Sequence, residues 1–138
     1  MAQALILDSE AVYALANAGT RTVLANRSRA ILKVAHEERA LVRVPAPVLA
    51  EVCRGGRYDA RVSWFLGHGG VVAVSLTPST AARAGGLLAR AKLGSAHAVD
   101  GFVVATALEF GSAIIAAGDP DDISLLAAGH PQIRVFAI

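Results

Sequence analysis

Five short apolar runs, spaced along 138 residues, constrain this chain more than any other feature. They lie at 4–7, 41–44, 71–75, 113–117 and 133–137, with Arg43, Ser75 and Arg134 their only polar members. Each is too brief for a buried helix and lacks the alternation of a half-exposed strand. Such runs fit strands buried on both faces of a parallel sheet. The intervening segments read as helices. One spans 9–18, with Ser9 as its N-cap and Gly19 as its stop. A longer one spans 20–39 and carries Arg27, Arg29 and Lys33. Pro47 opens a short one that runs to about Cys53 and carries Glu51. Another covers 57–66. Thr77-Pro78 caps a helix running to Ala91, and its Gly85-Gly86 pair either weakens the helix or marks close helix packing. An apolar helix then carries Asp100 as far as Gly111, and Asp119-Pro120 starts a last one ending near Gly129. Strands alternating with helices specify an α/β fold around a mainly parallel sheet. With no linker, repeat or low-complexity stretch, residues 1–138 read as a single domain.

Composition narrows the class. Hydrophobic residues make up 54% and charged residues 17%, so an interface with a partner or a second copy is expected beside the core. No uninterrupted apolar run reaches transmembrane length. The start, MAQALILDSE, lacks a basic segment and meets an acid too early for a signal peptide. One cysteine, Cys53, excludes an intrachain disulfide and a cysteine-cluster zinc site. A cytoplasmic protein is expected. The net charge of +2 permits nucleic-acid binding without arguing for it. GxGxxG and GxxxxGK[ST] are both absent, which leaves phosphate-cradling loops without support.

The acids carry the chemistry. Asp8 directly follows the first apolar run and Asp119 almost directly follows the fourth. In a parallel sheet both then lie at the carboxyl edge, where ligands bind. Asp100 sits early in the helix leading into the fourth run, among Val99, Phe102, Val103 and Val104. Glu51 sits on the helix after the second. Converging carboxylates repel one another unless a hard cation, Mg²⁺ or Mn²⁺, lies between them. Such a cation suits phosphodiester hydrolysis, because it acidifies a bound water and steadies charge on phosphate oxygens. Asp122, three residues beyond Asp119, returns to the same helix face, whereas Asp121 turns to solvent. His97, one turn before Asp100, is a possible second ligand on that face. Each acid also has a plain structural reading. Asp8 or Asp119 can cap a helix, Asp122 can face a helix dipole, and Glu51 can be solvated. Trp64, Phe65 and Phe102 read as core.

At these residues the sequence resembles the PIN-domain ribonucleases, most closely the VapC-type toxins of toxin–antitoxin pairs. LILDSEAVYAL is similar to the family's first acid motif (Asp8), VPAPVLAEV to the second (Glu51) and AHAVDGFVVATAL to the third (Asp100). AAGDPDDISLL is similar to the last (Asp119, Asp122). The resemblance implies a three-layer α/β/α sandwich, homodimers, a cognate antitoxin and RNA cleavage with Mg²⁺ or Mn²⁺. On that reading Asp8, Glu51, Asp100 and Asp119 are catalytic, and Asp8, Asp100, Asp119 and Asp122 hold metal. Arg54, Arg57 and Arg61 are candidates for RNA phosphates. The chain departs from the family at Ala117, where Thr or Ser is usual.

Two other readings compete. A haloacid-dehalogenase-like phosphatase would use Asp8 as nucleophile, but that family wants a second Asp where this chain has Glu10. A PIN fold that holds RNA or a partner without cutting is favoured by Ala117.

Overall fold

The computed structural model describes residues 2–17 and 22–138. The five strands stand where the apolar runs place them: β1 (Ala4–Leu7), β2 (Leu41–Pro45), β3 (Val71–Val74), β4 (Ala113–Ala117) and β5 (Ile133–Ala137). They form one sheet in the order β3-β2-β1-β4-β5. Every pairing is parallel, so the sheet is wholly rather than mainly so. β1 lies at the centre and all four of its residues are buried, as a strand covered on both faces requires.

Around the sheet lie α1 (Ser9–Ala16), α2 (Val23–Glu37), α3 (Leu49–Val52), α4 (Arg57–Leu66), α5 (Pro78–Ala91), α6 (Ala98–Glu109) and α7 (Pro120–Ala127). One layer is built by α1 packing on α2, α3 and α4. The other is built by α5, α6 and α7 packing on one another. The result is a three-layer α/β/α sandwich. Among the described residues no helix is long and apolar enough to cross a membrane.

Several local expectations need correction. The N-cap of α1 is Asp8, not Ser9: its Oδ1 accepts the Ala11 N–H at 2.9 Å. α1 ends at Ala16 with Asn17 as C-cap, and the proposed Gly19 stop lies outside the described residues. The second helix starts at Val23, where the Thr22 hydroxyl accepts the Ala25 N–H; residues 20 and 21 are likewise outside. Gly85 and Gly86 do not mark close packing, because a Cβ on either would meet nothing within 4 Å. The close contact is at Gly101 on α6, where a Cβ would meet Leu88 at 3.2 Å. Trp64 is not core. It is 64% exposed, while Val62 and Phe65 supply the buried face of α4.

This topology creates one crevice. From β1 the chain winds outward to β2 and β3; it then crosses back to β4 and leaves in the opposite direction to β5. The strand order therefore reverses between β1 and β4, and ligands in open parallel sheets bind at the carboxyl side of such a point.

Candidate active site

Asp8 stands at that reversal. It is 7% exposed, and both carboxylate oxygens accept backbone N–H groups. Oδ1 takes Ala11 and Oδ2 takes Gly118 across the sheet edge, each at 2.9 Å. The capping reading of Asp8 is thus correct, and the same side chain straps the end of β1 to the end of β4. A carboxylate has about four lone-pair sites, so the strap leaves acceptor capacity unused. The Asp8 carboxyl stands raised to about 6: burial is the main cause, the two N–H groups oppose it, and Glu10 and Asp100 add repulsion.

Asp100 is half-buried in the first turn of α6. Its carboxyl is also held above the usual range, first by burial, then by the fields of Asp122, Glu51 and Asp119, against the pull of His97. Asp8 follows β1, Glu51 lies on α3, Asp100 on α6, and Asp119 and Asp122 at the start of α7; Asp8, Glu51, Asp119 and Asp122 are near enough to Asp100 for their charges to interact. Their ranks differ. Asp122 is half-buried and exerts the largest field on Asp100, whereas Asp119 and Glu51 are exposed. Asp119 occupies the N-cap position of α7 but makes no side-chain capping bond. Asp121 faces solvent. His97 Nε2 lies 3.3 Å from Asp122 Oδ2, tying α6 to α7, and its Nδ1 is buried without a hydrogen-bond partner.

One member of the cluster escapes sequence reasoning. Glu10 lies against Gly118: a Cβ built there would sit 1.8 Å from Glu10 Oε2. Among acids, its field on Asp8 is the largest. The only signal in the sequence is a glycine at the end of a strand, opposite a first-turn acid.

Hard oxygen donors under mutual repulsion are what Mg²⁺ or Mn²⁺ would relieve, so the donor chemistry fits such a cation. As the side chains stand, no three His, Cys, Asp or Glu among the described residues are arranged to hold a metal ion.

Beside the acids runs a groove of about 580 Å³. Tyr13 and Ala14 of α1, Leu24 and Ala25 of α2 and Val52 of α3 form its apolar wall; Glu10, Glu51 and Arg54 bring charge to it.

Two solved structures share the architecture. The VapBC2 of Rickettsia felis, bound to a DNA fragment from their promoter, matches with a TM-score of 0.70 and 12% identity over 98% of each chain. A toxin–antitoxin complex from Klebsiella pneumoniae matches with a TM-score of 0.64 and 17% identity, over 97% of this chain and 99% of that one. The fold is PIN-like. No protein-family model and no curated protein matches the sequence, and at these identities the likeness is one of fold.

The raised Asp8 carboxyl has a consequence for stability. Between 3.8 and about 6 the folded state holds more protons than the unfolded one, so stability falls as pH rises through that window. The full excursion is on the order of 3 kcal/mol, with Asp100 acting in the same direction. Asn is also a good N-cap, so Asp8→Asn keeps the Ala11 bond and removes the titration; its NH2 cannot accept the Gly118 N–H, so the variant is compared by its pH dependence and not by its absolute stability. Urea unfolding in chelator at pH 5 and pH 7 should show the variant with a stability less favoured by acid than the wild type. Equal pH dependence in the two proteins would exclude Asp8 as the source.

Proposed function

We propose that this chain is a VapC-type PIN toxin: a Mg²⁺- or Mn²⁺-dependent endoribonuclease paired with a protein antitoxin. The observation that carries the reading is the convergence on Asp100. Three acids from two other elements act on its half-buried carboxyl at the strand-order reversal. The likeness to solved toxin–antitoxin complexes supports it.

On this reading Asp100, Asp122, Asp119 and Asp8 would hold the cation, directly or through water, with Glu51 beside them. The cation supplies Lewis acidity and charge neutralisation at the scissile phosphate. The chain's own residues do the positioning. Asp8 fixes β1 against Gly118, which sets the spacing of the carboxylates. His97 orients Asp122. Arg54, Arg57 and Arg61 receive RNA phosphates. The apolar groove beside Glu10 and Glu51 fits an antitoxin segment, and an arginine from it would satisfy paired carboxylates and compete with metal. A homodimer is part of the proposal, since the surface keeps apolar residues such as Val23, Val34 and Leu125 exposed.

The non-catalytic alternative rests on Ala117, which is fully buried and offers a methyl where a hydroxyl is usual in the family. The phosphatase reading would need Asp at the position two residues after Asp8; Glu10 stands there, its carboxylate against Gly118.

The deciding experiment incubates single-stranded RNA with the protein in Mg²⁺, in Mn²⁺ and in chelator. Cleavage confined to the metal-containing reactions is the expected result. RNA that is bound but uncut in either metal would establish the binding module instead.

A further inference from the structure

The exposed face of α4 carries a pattern that the acids do not explain. Arg57, Arg61, Trp64 and His68 recur at i, i+4, i+7 and i+11, a spacing that places them in one line along the helix and its closing turn. All four are exposed. The Trp64 and His68 rings are stacked, with centroids 4.2 Å apart and planes 21° from parallel. His68 Nδ1 also approaches the Trp64 carbonyl, which fixes the imidazole under the indole. Arg57 lies over the Tyr58 ring, and Arg61 donates to Asn17 Oδ1 at the end of α1. Among the described residues no carboxylate pairs with Arg54, Arg57 or Arg61. The one acid on the helix, Asp59, is half-buried and accepts the Gly55 N–H.

The direction of α4 gives the line a meaning. The helix follows β2 and α3, so it starts at the carboxyl edge of the sheet, on the side of Glu51. It ends where β3 begins, at the amino edge. The arginines therefore lie nearest the acids. Trp64 and His68 lie roughly 10 and 16 Å beyond Arg57, at 1.5 Å per residue, with Arg61 between. A polyanion leaving the acidic crevice along α4 would meet cations first and a preformed ring platform next. That order fits single-stranded nucleic acid, whose backbone follows positive charge and whose free bases stack on aromatic faces. A duplex keeps its bases stacked internally and has none to offer.

We infer that the Trp64–His68 pair is a base-stacking subsite for single-stranded RNA, reached along the Arg57–Arg61 line from the cleavage site. The inference rests on the proposed ribonuclease reading and adds strand selectivity and a contact remote from the cut.

Trp64 is the only tryptophan in the chain, so its fluorescence reports on this site without labelling. The wild-type protein is titrated, in chelator to prevent cutting, with a dye-labelled single-stranded oligoribonucleotide. Dye anisotropy and tryptophan emission are followed together. Saturable quenching should track the anisotropy, and the same strand annealed to its complement should not quench. Trp64→Ala should weaken single-strand binding about 5- to 160-fold, with Trp64→Phe recovering part of it. Replacing Arg57 and Arg61 with Ala should lower the slope of log affinity against log salt by about 1.4. If anisotropy rises while emission stays constant and Trp64→Ala binds as well as wild type, the stacking subsite is wrong and the RNA-binding reading stands. If no RNA binds, both fail. If emission instead changes with protein concentration alone, the face joins two copies of the chain and the subsite is again wrong.

Discussion

Asp100→Asn is expected to reduce metal-dependent RNA cleavage by more than about 100-fold and to raise the melting temperature of the metal-free protein at neutral pH. The two halves have separate causes. Loss of even an outer-shell partner of a bound metal typically costs about 10- to 100-fold, and Asp100 is the acid on which the others converge. The stability gain follows from its environment: an amide suffers neither the desolvation nor the repulsion from Asp122, Glu51 and Asp119 that burden this carboxylate. The structural alternative gives the opposite sign. An acid in the first turn of a helix is favoured by the dipole, so neutralising Asp100 would then cost about 0.3–1 kcal/mol. Thermal melts in chelator distinguish the two by sign alone. Adding Mn²⁺ gives a third readout. A ligand that binds only the folded state at about 100 times its Kd contributes about 2.7 kcal/mol, and this gain should vanish in Asp100→Asn and shrink in Asp122→Asn. Asp121→Asn, altering a solvent-facing side chain, should match wild type in cleavage and in the Mn²⁺ response. A folded but inactive Asp121→Asn protein would mean that the wrong acid of the Asp119–Asp122 segment has been placed in the crevice.

Much of this arrangement is legible before any coordinates. β1 and β4 coincide with their apolar runs because strands covered on both faces need continuous hydrophobicity, and a change of pattern marks each end; β5, at the sheet edge, tolerates Arg134 within it. α4 falls on 57–66 because glycines bracket it. The acids assemble because each follows an apolar run or a helix start, and a parallel sheet brings all such points to one edge. Long-range partners are harder to read. Asp8 and Ser9 are adjacent and both are good caps. Asp8 does the capping because its second oxygen also reaches Gly118, 110 residues away, a bond that no local pattern encodes. Spacing puts Asp119 and Asp122 on one face but does not rank them; the half-burial of Asp122 and its contact with His97 do. Trp64 reads as core from its neighbour Phe65, yet α4 buries Val62 and Phe65 and turns Trp64 outward with its arginines. The period of the helix contains that division, whereas hydrophobicity alone hides it.

Gly118→Ala should destabilise the protein by about 1–3 kcal/mol, the usual cost of forcing extra volume into a packed site. The added Cβ would lie 1.8 Å from Glu10 Oε2, 2.2 Å from its Cδ and 2.8 Å from its Cβ. A carboxylate can swing aside, but the Glu10 Cβ moves only with the first turn of α1. That turn is held by Asp8, which accepts the N–H of Gly118 itself. The clash and the strap therefore share one backbone position, and the strain cannot be relieved without loosening the hydrogen bond that spaces the carboxylates. Cleavage should fall with stability, and the Asp8 carboxyl should move down as the Glu10 charge leaves it. A double-mutant cycle isolates the contact. Glu10→Ala removes the two nearest atoms, so the pair Glu10→Ala with Gly118→Ala should be less destabilised than the sum of the single changes, by about 0.5–3 kcal/mol. Additivity within about 0.5 kcal/mol would show that Glu10 does not occupy the space over Gly118, and would remove it from the acidic cluster.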